Sequence, residues 1–427
     1  MKTLLSPHRH SRRKVLTGMT YGAATLATSR AGTTAATPAL AATPDASPIS
    51  GVSKEEVVAL VNETMEEHHL KAAIVRVLID GEEWVTIASG ESMDGVLATP
   101  EMHFRNGAVA ITYLSTALLI LVDRGVVGLD DPLSTWLPEL PDSDKATVRM
   151  LINMTAGYTD YVTTDAFSAA NAADPFRHWT PEEIIAVSQD AGRFFEPGEN
   201  WAYSHTDYVI LGLALEQITG EPLDKVIRDL VLDPLGLVNT ASFNTPEIPE
   251  PVLHAFTSER KSLLKIPPEV RFYEESTFWD PSWTIARGAI QTTNIVDLAA
   301  STAAIGEGVL LSPASYQVLT SKSLAGFGAP IEGCATCMTL SEQVPFGAGI
   351  WMIGDWLAQI PAFGGYAAFT VYLPARKLAI AVEATVNEAA FDDKGNFLLP
   401  NPSVPVGAAI AGLLAPEFPL AGSNPAP

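Results

Sequence analysis

The chain of 427 residues has only two cysteines, Cys334 and Cys337, and only 26 basic residues against 49 acidic ones. A zinc site would need two further ligands near "GCATCM", and none is there. A redox pair would need a helix N-terminus beside it, which "IEGCATCMTLSEQVP" does not offer. In an oxidising compartment the same spacing permits a small loop-closing disulfide. The shortage of positive charge excludes nucleic acid as a partner and disfavours anionic lipid headgroups. Long apolar runs are lacking as well, since the run from Val15 to Ser29 falls short of the about 20 residues a comfortable membrane span requires. What is present is a 47% hydrophobic composition, which excludes a disordered chain and allows a substantial core.

The first 41 residues contain six basic residues and no acidic one. Arg12 and Arg13 precede the apolar run, and an A-x-A site follows at Ala39-Leu40-Ala41, so residues 1–41 read as a twin-arginine-type signal peptide that directs export to the periplasm, envelope or exterior. Beyond it, 20 basic residues face 49 acidic ones, a formal charge of −29. Residues 42–52 read as a flexible linker, 53–416 as one two-lobed catalytic-type unit and 417–427 as a tail.

Order is expected from "SKEEVVALVNETMEEHHL", where Ser53 and Glu56 form a capping-box pattern. "AAIVRVLIDGEEWVTIASG" predicts a hairpin turned at Asp80-Gly81. A helix apolar nearly all round, and therefore buried, is expected from Gly107 to about Asp123. Helices follow in "PEEIIAVSQDA" and "VILGLALEQITG", then three strands in "FGAGIWMI", "YAAFTVYLP" and "KLAIAVEATV", and a last helix near "VPVGAAIAGLLA". Strands at both ends with helices between predict an antiparallel sheet with an inserted, mostly helical lobe, an α+β arrangement.

Six segments then recur in a familiar order: "FRNGAV", "LVDRGVVGLDDPLSTWLPEL", "TVRMLINMTAGYTDY", "PGENWAYSHTDYVILGLALEQITG", "DPSWTIARGAIQTTNIVDLA" and "DWLAQIPAFGGYAAFTVYLP". On these the chain resembles the serine β-lactamase and D-alanyl-D-alanine carboxypeptidase-like family over about residues 54–415. The resemblance implies the β-lactamase/penicillin-binding transpeptidase fold and acyl transfer without a cofactor. In that family a serine attacks the carbonyl, while a lysine one helical turn on and a tyrosine across the cleft manage its proton. Carried over by position, the serine site is Ala108 and the lysine site Ile111. Tyr203 keeps the tyrosine of the second motif, but its asparagine site is His205. The third motif falls on Gln359 and Pro361 where the family has histidine or lysine and glycine, and Met154 and Ala156 replace a histidine and a serine.

Alanine has no lone pair to attack with, and isoleucine accepts no proton. Removing the nucleophile or its base from a serine hydrolase costs about 10⁶ in turnover, or about 8 kcal/mol of barrier. The expectation is therefore an exported, catalytically inactive relative that binds a peptidoglycan peptide, a small molecule or a protein partner. Two bare serine–lysine spacings, Ser258…Lys261 and Ser262…Lys265, open no long buried helix and are expected on a solvated loop. An active esterase or D-amino-acid peptidase remains the alternative, with Tyr203, His205 and Asp207 sharing one face of an extended segment and Ser204 facing away. His103 is placed to reach the cleft mouth, and Trp201, Trp279, Trp283 and Trp356 either pack the lobes or line the cleft.

Overall fold

The computed structural model describes residues 51–420, so the predicted signal, residues 42–50 of the predicted linker and the last seven residues lie outside the described part. Ser53 opens helix α1 (Lys54–Glu67): its hydroxyl accepts the Glu56 N–H at 3.1 Å, and Glu56 Oε2 accepts the Ser53 N–H at 2.7 Å. Two donors that a helix start leaves free are satisfied in this way. Strands β1 (Leu70–Ile79) and β2 (Glu82–Met93) form the predicted hairpin, with Asp80 at φ 51° and Gly81 at φ 81°. Two consecutive left-handed residues give a turn whose twist matches that of the strands.

Short strands β3 (Val96–Leu97) and β4 (Phe104–Arg105) lead into helix α2 (Val109–Asp123), buried without interruption from Val109 to Leu121. The helix begins two residues later than the sequence predicts, because Gly107 takes φ 52° and turns the chain, leaving Ala108 as the cap. The helical lobe follows with α3 (Val148–Ile152), α4 (Asp165–Ala173), α5 (Pro181–Asp190), α6 (His205–Thr219) and α7 (Leu223–Ile227). Next come β5 (Phe256–Thr257), α8 (Arg260–Leu263), β6 (Glu274–Glu275), β7 (Thr292–Thr293), α9 (Ile295–Gly306) and α10 (Pro313–Leu319). The chain returns to the sheet with β8 (Trp351–Ile353), β9 (Trp356–Gln359), β10 (Ala362–Phe363), β11 (Tyr366–Leu373) and β12 (Leu378–Val386), and ends its described order with α11 (Val404–Leu414).

The main sheet runs β3-β2-β1-β12-β11-β9-β8, with β10 beside β11 and every pairing antiparallel. The first long strand thus pairs with the last, Val75 opposite Val382. Helices α1 and α11 pack together and onto this centre, and α9 packs on β1, β11 and β12. The predicted antiparallel sheet with its inserted helical lobe is what forms.

The late strands differ from expectation. "FGAGIWMI" supplies only Trp351–Ile353, since Gly349 at φ 78° interrupts its first half. Strands β9 and β10 were missed because they are short and are separated by Ile360-Pro361, where proline has no N–H for a ladder. Cys334 and Cys337 form the expected disulfide.

Candidate functional site

Five of the motif positions singled out by sequence converge on one cleft of about 300 Å³. Ala108 contributes from the cap of α2, Tyr203 and His205 from the start of α6, and Gln359 and Pro361 from the β9–β10 break. Trp283, Trp351, Ile285, Ile360 and Phe363 make much of the remaining wall apolar. Among the described residues no lysine or arginine lines it.

Gly107 makes the close approach possible. A Cβ on this residue would stand 2.9 Å from Pro361 Cβ, and its φ of 52° is one that other residues adopt only with strain. Asn401 fixes the other side of the break, donating to the carbonyls of Ile360 and Pro361 at 3.2 and 2.9 Å. These are bonds within the protein, so Asn401 shapes the wall.

Ile111 departs from expectation. It is 0% exposed, joins the main apolar cluster and does not line the cleft. Gln359 is also turned inward: its amide nitrogen donates to Thr112 Oγ1 at 2.9 Å and to the Gly349 carbonyl at 2.7 Å. Thr112 Oγ1 donates to the same carbonyl at 2.7 Å. Where the resemblance places catalytic polar groups, this chain has sealed apolar packing at Ile111 and a structural tie at Gln359.

Tyr203 and His205 remain at the cleft, their rings edge to face at 5.2 Å, with Tyr203 stacked on Trp351 at 6.3 Å. Burial, and after it the Asp160 carboxylate, pushes the Tyr203 hydroxyl well above the ordinary tyrosine range. At neutral pH it is therefore a donor and not a base. His205 Nδ1 lies 3.0 Å from Oδ2 of Asp160, whose side chain is 2% exposed against 22% for the imidazole.

Asp160 was missed by sequence reasoning, because only the fold brings it beside His205. Asp207, the partner expected instead, is a correction: α6 begins at His205, so a residue two positions on turns away with the helix and is buried. Burial holds its carboxyl well above the usual range. Ser204 caps α6, accepting the Asp207 N–H at 3.3 Å and donating to the Tyr158 carbonyl at 3.1 Å.

Other expectations are corrected too. Ser258 and Lys261 are not solvated but buried, with Lys261 Nζ donating to the Pro268 carbonyl at 2.9 Å and Ser258 Oγ to that of Phe272 at 2.7 Å. Ser262 and Lys265 are exposed. None of the four reaches the cleft, and neither does His103, whose backbone bridges to Val252. Trp201 and Trp356 are wholly buried and Trp279 nearly so, while Trp283 is a cleft residue. Trp351, which sequence reasoning did not name, is another. Met154 and Ala156 are packed in the core.

A β-lactamase family model matches residues 57–399. Penicillin-binding protein 4 of Amycolatopsis lactamdurans is 26% identical over 309 residues, covering 70% of this chain and 74% of that protein. Penicillin-binding protein 4* of Bacillus subtilis is 28% identical over 153 residues, so the match covers 35% of this chain and only 33% of that relative. Among solved structures, D-amino acid amidase from Ochrobactrum anthropi SV3 complexed with L-phenylalanine superposes with a TM-score of 0.70 at 18% identity, covering 86% of this chain and 99% of that one. This last likeness shows the fold.

Proposed function

The chain belongs to the β-lactamase family, and from that premise we propose that it is an exported member that binds a peptide-like ligand without forming an acyl-enzyme. The observation that carries this reading is Ala108 at the cleft with Ile111 sealed behind it: the wall holds a methyl group where the resemblance implies a nucleophile. Tyr203, the one motif residue kept, is held protonated by burial, and no lysine among the described residues lines the cleft beside it.

The cleft itself has the size and mixed lining of a small-molecule site. Its lack of lysine and arginine favours a ligand with a blocked or amidated terminus over one with a free carboxylate. A cell-wall stem peptide with an amidated end meets that description. Export by the twin-arginine segment would bring the protein to it.

The test is intact-mass analysis of the mature protein after exposure to β-lactams and activated esters, together with a binding titration of amidated stem peptides followed by tryptophan fluorescence. Unchanged mass with saturable quenching is expected. A covalent adduct on one residue overturns the non-acylating reading, and a flat titration across the peptides overturns the ligand class.

A second reading rests on the His205–Asp160 pair. An imidazole oriented by a sealed carboxylate at a cleft is the arrangement a general base requires. On this reading the protein hydrolyses an ester or D-amino-acid amide directly with water. Steady turnover that vanishes in His205→Ala while the mass stays unmodified would select it.

A further inference from the structure

A second cavity lies between β4, residues 242–245 and the loop 281–288. It is small, with about 10 Å³ open to the centre of a water-sized sphere. Three buried polar atoms at this cavity have no hydrogen-bond partner among the described residues: Arg105 Nε, Ser242 Oγ and Asn244 Oδ1. Most buried polar atoms in folded proteins are satisfied, so three unpartnered polar atoms around one void mark it as a place for a polar occupant.

The charges around it are uneven. Arg105 is 3% exposed, and its one acceptor among the described residues is the Pro246 carbonyl, 2.7 Å from Nη2. No carboxylate lies within ion-pair distance of it among the described residues; the groups that favour its charge are the Tyr366 hydroxyl and, after it, Asp280, which is paired with His178 at 3.1 Å. Burial lowers the Arg105 guanidinium to about 10, the response of a cation without a full counter-charge. Arg287 adds a second, exposed guanidinium to the rim.

A lone buried cation is costly unless something of opposite charge answers it. A water would satisfy the donors without answering the charge. We propose that this cavity is a binding site for a small monovalent anion of halide size, accepting from Arg105 Nε and the Ser242 hydroxyl. Neither amide atom of Asn244 is bonded to another described residue, so its amide turns over to present its N–H to the anion without breaking such a bond. The site ties together two pieces of the cleft wall: Arg105 stands three residues before Ala108, and the loop 281–288 carries Trp283 and Ile285. Anion occupancy would therefore stiffen the wall through these two segments.

The experiment has a crystallographic and a solution arm. Crystals of the mature protein grown in sodium bromide and measured at the bromine edge should show an anomalous peak beside Arg105 Nε. In solution, the melting temperature should rise saturably by a few degrees with chloride or bromide, and not with gluconate at equal ionic strength. Asn244→Asp, at a position whose φ of 52° aspartate tolerates, supplies a tethered carboxylate and should abolish the halide dependence. Density that refines as an ordered water with no anomalous signal overturns the proposal. So does a stabilisation that gluconate reproduces, or an Asn244→Asp variant that responds to halide as the parent does.

Discussion

Asp160 Oδ2 stands 3.0 Å from His205 Nδ1, and Asp160 Oδ1 accepts the Val162 N–H at 3.2 Å, so one sealed carboxylate both caps a helical turn and orients the imidazole at the cleft. An ionised carboxylate only accepts, so the proton of neutral His205 sits on Nδ1 and the lone pair of Nε2 is left free.

Asp160→Asn should reverse that assignment. Its amide donates to Nδ1, moving the proton to Nε2 and presenting a donor where the parent presents an acceptor. Imidazole ¹⁵N shifts of His205 check this directly. Stability should change little in Asp160→Asn, whereas Asp160→Ala, which loses the cap, should cost about 1 kcal/mol in urea unfolding. Identical imidazole spectra for parent and Asp160→Asn would show that the carboxylate does not set the tautomer.

The two altered nucleophile-motif positions should behave unequally on reversion. Ala108 is partly exposed at the cleft, so Ala108→Ser should be nearly neutral. Ile111 is enclosed by apolar neighbours, and Ile111→Lys places an uncompensated charge there, at a cost of about 3–5 kcal/mol. The double variant should melt well below the parent. A melting temperature equal to the parent's would show that this position is not sealed.

This asymmetry also marks how far the sequence could be read. The positions of Ala108, Tyr203, His205, Gln359 and Pro361 were legible because ordered motifs fix where such residues fall on the fold, and all five do line one cleft. The hairpin at Asp80-Gly81 and the cap at Ser53 were legible because their chemistry is local. Asp160 was not, because its pairing with His205 depends on two segments 45 residues apart meeting in space. Nor was the direction of Asp207: alternation along a strand was assumed for a segment that turns helical at His205. Ser258 and Lys261 looked solvated because polar residues cluster there, yet backbone carbonyls of the same loop accept from both.

The disulfide sits closer to the cleft than its sequence position suggests. Ala202 bridges to Cys337, and the Tyr203 N–H donates to the Thr336 carbonyl at 3.3 Å, so the small covalent loop holds the backbone of a cleft residue. Closing so short a loop stabilises the fold by about 2 kcal/mol or less. Replacing both cysteines by serine should therefore lower global stability modestly while speeding hydrogen exchange at the Tyr203 amide far more than in the middle of α6. Equal acceleration at both places would mean that the loop does not hold Tyr203.

Glu383 gives the clearest dependence on pH. It lies on the central strand β12 opposite Ile74 and Ala368, 0% exposed, and among the described residues no cation or side-chain donor reaches its carboxyl group. Burial raises its pKa well above the ordinary glutamate value. Below about pH 4.3, the usual value for an unfolded chain, both states carry the proton and the site has no pH-dependent effect. As pH rises past that value the unfolded chain releases its proton and the folded one keeps it, so folding loses up to about 1.4 kcal/mol per pH unit until the folded group ionises as well. Glu383→Gln keeps the shape and removes the titration. Its stability relative to the parent, from urea unfolding between pH 4 and 8, should start near a constant offset at the acid end and climb steadily toward neutrality. Because Asp207 and every other titrating group is common to both proteins, the climb isolates this one carboxyl, and a difference that stays flat with pH would mean that Glu383 is ionised and answered by a charge in the folded protein.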